Sequence, residues 1–253
     1  MTISQIWDYG LRSIWIPVDT QVDLSVVLAV YIPFVLMTAV FAYLLGSINL
    51  SIIISKKFYG EDIREYGSGN AGMTNVMRTY GKKMAAITFG GDFLKAVIAS
   101  LIGRLFLGFF GAYLAGFFCF VGHIFPCYYK FKGGKGIVTA AAMVLMTDWR
   151  IFLILVALFV LIVALTKYIS LGSVVGLAFY PIVLDRMWVI FAYGMRPRIV
   201  IIFAIGVMIL GIWGHRKNIK RILNHTENKF TFKVKDKAVN AEKTDNTEKE
   251  NKK

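Results

Sequence analysis

Long apolar stretches alternate with short polar loops along most of the chain. The apolar stretches lie at about 26–54, 84–109, 112–128, 137–146, 151–165, 171–184 and 199–213. About 18 or more apolar residues are enough to cross a bilayer as a helix. The fourth stretch is short for a full crossing, and Pro33 with Gly46–Ser47 predicts a kink or an early break in the first. The pattern predicts an all-α, polytopic membrane protein with about seven transmembrane helices and glycine-rich loops.

The two ends of the chain differ from this pattern. Residues 1–25 mix aromatic, apolar and charged side chains, which is typical of an interfacial segment rather than a signal peptide. Residues 229–253 consist mostly of Lys, Glu, Asn, Asp and Thr, so they cannot bury a core and are expected to be disordered. We therefore expect a membrane domain at 26–228 between an N-terminal segment and a charged tail.

Composition supports a membrane protein and narrows its partners. The chain has 253 residues, of which 57% are hydrophobic and only 17% charged, against about 25% charged in soluble domains. The net charge is +14. The basic residues are scattered over short loops instead of clustering on one face, which argues against nucleic-acid binding. Membrane lipid and anionic substrates are the expected partners.

The loop charges predict an orientation. The loops 55–83, 128–136, 166–168 and 215–225 carry 14 Lys and Arg residues, whereas the opposite side carries five. The positive-inside rule then places the N-terminus outside, with the C-terminus and every glycine-rich loop in the cytosol. Loops that share one membrane face can form one site.

The first polar motif spans residues 64–75 in the loop after the first apolar stretch. Arg64 precedes a run of glycines, hydroxyls and amides. The run contains Gly67, Ser68, Gly69, Asn70, Gly72, Thr74 and Asn75. Residues 67–72 match G-x-G-x-x-G, but a membrane helix precedes them where a dinucleotide fold needs a strand. A flexible interhelical loop is the alternative; the guanidinium fork and backbone N–H groups favour a phosphate dianion.

The second motif follows Gly122, His123 and Pro126. It runs from Lys130 to Gly136 and continues to Thr139. It shares only Gly134–Lys135 with a Walker A loop, since Tyr129 occupies the first glycine position and Gly136 the Ser/Thr position. Nucleoside triphosphate binding is therefore excluded. A basic cytosolic turn accounts for Lys130 and Lys132. Lys135, with Gly133, Gly134 and Gly136, instead predicts a phosphate site.

The third motif begins directly after the last apolar stretch. His215 and Asn218 are three residues apart, so on a helix they share a face, and Glu227 follows. A juxtamembrane basic anchor explains the neighbouring Arg216, Lys217 and Lys220 but not His215 and Asn218. These two residues are therefore candidates for the site.

Asp92 and Lys95 lie inside the second apolar stretch, three residues apart. Charges inside a membrane usually face a bundle interior or a water-filled cavity. A structural ion pair and a substrate contact remain equally open. The two cysteines lack metal-ligand spacing. The sequence also lacks a His-x4-Asp dyad, a paired-carboxylate metal cluster and a G-x-S-x-G elbow, so no metal or cofactor is expected.

Together these motifs resemble the integral-membrane bacterial family of acyl-phosphate:glycerol-3-phosphate acyltransferases. The resemblance covers about 40–228 and rests on long, ordered motifs. They are 46–48, Arg64 with 67–75, 122–123 with Pro126, 131–136 with Thr139, and 215–216 with 218–227. Met73 stands where the family usually has Ala, and Asn49 where Pro is frequent.

The resemblance implies a seven-helix enzyme of the bacterial plasma membrane. It implies transfer of a fatty acyl group from acyl phosphate to the 1-hydroxyl of glycerol 3-phosphate, giving lysophosphatidic acid and phosphate. Neither acyl-CoA nor acyl carrier protein is a donor in this family. It leaves the oligomeric state and the acyl-chain preference open. A transporter for an organic phosphate is the alternative from another class, against which the one-sided polar motifs and the lack of an internal repeat argue.

We expect the residues of the motifs to divide the chemistry. Arg64, Ser68, Asn70, Thr74 and Asn75 are predicted to hold one phosphate, and Lys135 with its glycines the other. Ser47, His215 and Asn218 are predicted to orient the nucleophile or the loops, and Glu227 to brace the third motif. Acyl phosphate is already activated, so orientation and charge stabilisation matter most. The hydroxyl proton can pass to a substrate phosphate oxygen, which we favour, or to His215.

Overall fold

The structure, a computed structural model, describes residues 24–190 and 198–230. These residues form helices joined by short loops and contain no strand. The helices are α1 (Leu24–Ser47), α2 (Leu50–Tyr59), α3 (Met73–Ile124), α4 (Ile137–Thr147), α5 (Trp149–Thr166), α6 (Ile169–Ile190), α7 (Ile201–Gly214) and α8 (Arg216–Leu223). The predicted all-α class is confirmed. The predicted segments 1–25 and 229–253 lie almost entirely outside the described residues.

Two glycines divide the long helix α3 into three parts. Gly81 has φ 86° and ψ 179°, and Gly108 has φ 65° and ψ −148°, values that a residue with a side chain rarely adopts. The parts 82–107 and 109–124 fold back on each other, close to the predicted boundary between the second and third apolar stretches. The apolar segments of α1, α4, α5, α6 and α7 complete a set of seven among the described residues.

Within residues 24–190 and 198–230, four helical stretches are long and apolar enough to cross a membrane, and α4 and α7 are apolar but shorter. Helix α4 has only 11 residues, in keeping with its short apolar stretch. The early break predicted at Gly46–Ser47 is confirmed: α1 ends at Ser47, and the chain continues as the separate helix α2 because the Asn49 side chain accepts from Ile52 N and starts a new helix. The predicted end of the sixth apolar stretch at 184 is wrong, since α6 continues to Ile190.

Small residues bring the first helices into close contact. A Cβ on Gly46 would lie 2.1 Å from the Cys119 carbonyl oxygen, and one on Gly122 would lie 2.2 Å from that of Tyr43. Helix α1 therefore packs against the last part of α3 backbone to backbone, as small-residue interfaces in membranes allow. Since Gly122 is followed by the second motif, this contact also fixes the starting point of that motif.

The main apolar core lies between the last part of α3 and helices α4, α6 and α7. Its fully buried side chains include Tyr113, Phe120, Met143, Tyr180 and Leu184. Helix α5 fully buries only Ile151 and leaves its other apolar side chains partly or fully exposed, which suits a helix with one face toward lipid. The polar motifs lie at the helix ends around this core.

Candidate active site

A chain of charged hydrogen bonds joins the second and third motifs. Lys135 Nζ donates to Asn218 Oδ1 at 2.5 Å, and Asn218 Nδ2 donates to Glu227 Oε1 at 2.7 Å. Glu227 also accepts from Ser170 Oγ at 2.6 Å and from Arg221 Nε at 2.7 Å. Glu227 therefore connects the C-terminal segment, α6 and α8, and it holds Asn218 against Lys135.

The same contacts set the charges of this cluster. Burial alone would raise the pKa of Glu227, but hydrogen bonds from Ser170, Asn218 and Arg221 lower it below its usual value. The pKa of Lys135 is lowered to about 8, mainly by burial. The positive charges of Arg221 and Arg78 contribute to this fall, whereas the negative charge of Glu227 opposes it. The site therefore disfavours the charged form of Lys135, and a bound anion would stabilise it.

His215 lies at the junction of α7 and α8 with only 2% of its surface exposed. Its Nδ1 lies 2.8 Å from the carbonyl oxygen of Gly211. A carbonyl can only accept, so Nδ1 carries the proton and Nε2 is left as an acceptor. Burial, together with the nearby charge of Lys135, lowers the pKa of His215 to about 4. His215 is therefore a neutral ring at physiological pH.

Asn75 organises the glycine-rich loop of the first motif. Its Oδ1 accepts from Ser68 N at 2.9 Å, and its Nδ2 donates to the carbonyls of Ile63 and Tyr66 at 3.2 and 2.9 Å. Gly67 adopts a φ of +60°, and a Cβ there would lie 2.2 Å from Asn75 Oδ1. The Asn75 amide thus holds the loop in one shape, and both of its N–H donors are occupied by loop carbonyls.

The loop ends at Gly72, which directly precedes α3. The first N–H groups of a helix have no intrahelical acceptor, and the helix dipole favours negative charge there. Ser68, Asn70 and Thr74 lie around this helix end and line the cavity described next. Backbone and hydroxyl donors therefore face the same space as the second and third motifs.

One cavity of about 530 Å³ receives residues from all three motifs. Its polar end is lined by Ser68, Asn70, Gly72, Thr74, Asn75, Arg78, Lys135, Gly136, His215, Asn218, Arg221 and Glu227. Its apolar part runs between α4, α5 and α6. The side chains there include Ala140, Val144, Phe152, Leu155, Phe159, Leu177 and Tyr180. The site can hold an anionic group at one end and a long apolar group at the other.

Comparison with known proteins identifies the family. A family model described as glycerol-3-phosphate acyltransferase matches residues 36–225. The chain belongs to this family. A glycerol-3-phosphate acyltransferase of Clostridioides difficile (strain 630) is 44% identical over 198 residues, which cover 76% of this chain and 93% of that protein. One from Thermoanaerobacter sp. (strain X514) is 42% identical over 201 residues, covering 79% of this chain and 98% of the relative.

Solved structures agree with the family assignment. One match is the crystal structure of PlsY (YgiH), an integral membrane glycerol 3-phosphate acyltransferase, in its glycerol 3-phosphate form. The two sequences are 35% identical. The TM-score is 0.70, and the match covers 78% of this chain and 96% of PlsY. This chain is accordingly an acyltransferase of phospholipid biosynthesis and a multi-pass membrane protein.

Within this acyltransferase, some predicted phosphate-binding groups serve the loop itself. Gly133 N donates to the Ile124 carbonyl at 3.0 Å, and Gly134 N donates to the His123 carbonyl at 3.1 Å. Thr139 Oγ1 donates to the Gly136 carbonyl at 2.8 Å. In this geometry these donors shape the loop before α4. Lys135 and the start of α4 are left to face the cavity.

Ser47 and Arg64 do not line the cavity of the acyltransferase. Ser47 Oγ donates to the Tyr43 carbonyl at 2.9 Å and accepts from Cys127 N at 3.3 Å. The Arg64 guanidinium binds both carboxylate oxygens of Asp62 at 2.9 and 2.7 Å. It also donates to the carbonyls of Tyr129 and Lys132 at 2.9 and 3.0 Å, which ties the first loop to the second. A direct phosphate contact by Arg64 would require these bonds to break.

Arg78 is a site residue that the sequence analysis missed. It lines the cavity from the first part of α3 and makes no hydrogen bond or ion pair with any described residue. Burial lowers the pKa of Arg78 from its usual value; the negative charge of Glu227 opposes this fall, and the positive charge of Arg221 adds to it. Thr74 and Arg78 are four residues apart in the sequence. That helical spacing is the signal that would have placed Arg78 on the face of Thr74.

Asp92 and Lys95 form the ion pair that was one of the two predicted alternatives. Asp92 Oδ1 lies 2.8 Å from Lys95 Nζ, and both side chains are at most 5% exposed. Asp92 also lines the cavity, whereas Lys95 does not. No group of three or more metal-ligating side chains occurs among residues 24–190 and 198–230.

Proposed function

We propose that this acyltransferase transfers a fatty acyl group from acyl phosphate to the 1-hydroxyl of glycerol 3-phosphate. The products are lysophosphatidic acid and inorganic phosphate. The observation that carries the proposal is a single cavity with a cationic polar end that continues into an apolar passage along α4, α5 and α6. The polar end suits two phosphate groups and the passage suits an acyl chain.

The charges at the polar end favour two anionic ligands. Lys135, Arg78 and Arg221 supply three cations, and Glu227 supplies one opposing carboxylate. The other carboxylate in the lining, Asp92, is paired with Lys95. Two phosphate dianions repel each other when they share a site, and cations between them reduce that repulsion. We infer that Lys135 and Arg78 contact phosphate directly, together with Ser68, Asn70 and Thr74. Arg64, Ser47 and Glu227 hold the loops in place.

The reaction requires one bond to form and one to break. The 1-hydroxyl oxygen attacks the acyl carbon, and the bond from that carbon to the phosphate oxygen breaks with release of phosphate. His215 Nε2 can accept a hydrogen bond from the hydroxyl and orient it. A ring with a pKa of about 4 is a weaker base than a phosphate dianion, whose conjugate acid has a pKa of about 6. We therefore assign the proton to a substrate phosphate oxygen and the orientation of the hydroxyl to His215.

The site is proposed to face the cytosol of a bacterial cell. The basic residues of loops 55–83, 128–136 and 215–225 support this orientation. The catalytic unit is proposed to span 26–228, with residues 1–25 outside and 229–253 as a cytosolic tail. Both substrates then reach the site from the side where phosphorylated metabolites are made.

Purified protein in detergent tests the proposal. We expect phosphate release from palmitoyl phosphate that depends on glycerol 3-phosphate and yields lysophosphatidic acid. Replacing the donor with palmitoyl-CoA or palmitoyl carrier protein should abolish product. Product formed equally well from palmitoyl-CoA would contradict the proposed donor. Uptake of glycerol 3-phosphate into vesicles without phosphate release would favour a transporter instead.

A further inference from the structure

His123 is a buried histidine at the edge of the cavity that the proposed mechanism leaves without a role. It lies near the end of α3 and is 4% exposed. It lines the same cavity as Asn70, Gly72 and Lys135. Its ring therefore stands between the first and second motifs.

Lys95 determines which ring nitrogen of His123 carries the proton. Lys95 Nζ lies 2.6 Å from the Ile48 carbonyl oxygen, 2.8 Å from Asp92 Oδ1 and 3.0 Å from His123 Nδ1. An ammonium group has three hydrogens to donate and cannot accept. Because Nζ can only donate, its contact at 3.0 Å makes Nδ1 the accepting nitrogen; the carboxylate oxygen Asp92 Oδ1 lies farther from Nδ1, at 3.5 Å. The proton of the neutral ring then lies on Nε2.

The Nε2–H group points to the phosphate-binding loops. A Cβ on Gly134 would lie 2.2 Å from Nε2 and 2.6 Å from the Ala71 carbonyl oxygen, so Nε2 lies directly against Gly134, the residue before Lys135. No described residue accepts a hydrogen bond from Nε2. His123 lines the cavity, so a ligand oxygen there can accept the hydrogen bond that Nε2–H offers.

We propose that His123 Nε2–H donates a hydrogen bond to a phosphate oxygen of a bound substrate, and that Lys95 and Asp92 hold the ring in the required tautomer. The inference rests on the proposed function, because it assumes that a phosphate group occupies the space beside Lys135. His123 is then a binding residue, and Lys95 and Asp92 are positioning residues. The glycine at 134 is required because any side chain would displace the ring.

Two substitutions of His123 separate ligand binding from packing. In His123→Asn the amide oxygen can replace Nδ1 and still accept from Lys95, but no donor reaches the position of Nε2. In His123→Gln the longer amide can place an N–H near that position. His225→Asn is the matched control, since His225 is exposed and outside the cavity.

Binding of inorganic phosphate and of glycerol 3-phosphate to the purified full-length protein is measured by the rise in thermal unfolding temperature. We expect His123→Asn to weaken phosphate binding about tenfold, the loss typical of one hydrogen bond to a charged group, with His123→Gln restoring most of it. His225→Asn should match the wild type. The KM values of His123→Asn for glycerol 3-phosphate and palmitoyl phosphate then show which substrate His123 contacts. Only the KM for the contacted substrate should rise.

Unchanged phosphate binding in His123→Asn would overturn the proposal. So would a fall in kcat with both KM values unchanged, or binding that survives in His123→Asn but fails in His123→Gln. Failure of the wild type to transfer acyl groups would contradict the proposed function instead. The binding comparison needs no turnover and would still be interpretable in that case.

Discussion

The lowered pKa of Lys135 predicts that phosphate binding weakens at alkaline pH. A fall from 10.5 to about 8 means that the empty site disfavours the ammonium group by about 3 kcal/mol relative to water. A bound dianion reverses this by stabilising the charged form. The protonated site therefore binds phosphate, and binding is lost as pH rises through the pKa of the empty site. Between pH 8 and pH 9 the dissociation constant should rise several-fold, approaching about tenfold per pH unit above that.

The assay is equilibrium binding of glycerol 3-phosphate between pH 7 and pH 9.5. The ligand is a dianion throughout this range, and His215 and Glu227 have lowered pKa values, so neither changes protonation. Lys135→Arg is the control, because a guanidinium stays protonated and should abolish the pH dependence even if overall affinity falls. A dissociation constant that stays flat to pH 9.5 in the wild type would refute the role of Lys135 as the titrating phosphate ligand.

Two further predictions separate contacts to substrate from contacts within the protein. Arg78→Gln should raise the KM for a phosphate substrate about tenfold with little change in thermal stability, because the guanidinium makes no hydrogen bond or ion pair with any described residue. Arg64→Gln should mainly lower the unfolding temperature, because it breaks bonds to Asp62 and to two carbonyls; equal stability of the two variants would contradict the assignment. Gly176→Phe should reduce kcat/KM for palmitoyl phosphate relative to a short-chain acyl phosphate by at least about tenfold, since a Cβ at Gly176 meets open space on the apolar cavity wall. An equal loss for both chain lengths would argue against this route for the acyl chain.

The sequence was sufficient to predict the membrane helices and the meeting of the three motifs. Apolar length gives most of the helices, and the charge bias predicts that the loops share one membrane face. Lys135, His215 and Asn218 were singled out because a generic basic loop does not require them at those positions, and the structure brings them to one cavity.

The individual partners of each polar group could not be predicted in the same way. Arg64 and Arg78 flank the same glycine run. The sequence alone does not show that Asp62 pairs with Arg64, or that Arg78 makes no ion pair with a described residue. The acceptors of the Gly133 and Gly134 N–H groups are determined by the path of the chain after Ile124. The break after Ser47 depends on the Asn49 side chain, which caps α2 and also donates to the Ala71 carbonyl at 3.3 Å. Such pairings are settled by packing in three dimensions.

The turn at Gly108 has a consequence for how the protein is made. The parts 82–107 and 109–124 of α3 are joined by a single non-helical residue, and a Cβ on Gly103 would lie 2.2 Å from the Gly111 carbonyl oxygen. With so short a connection, the two parts have little freedom to separate once they have formed, and we expect them to pair early as a helical hairpin. Bulky substitutions at Gly103 or Gly111 should therefore lower the yield of folded protein in the membrane, apart from any effect on catalysis.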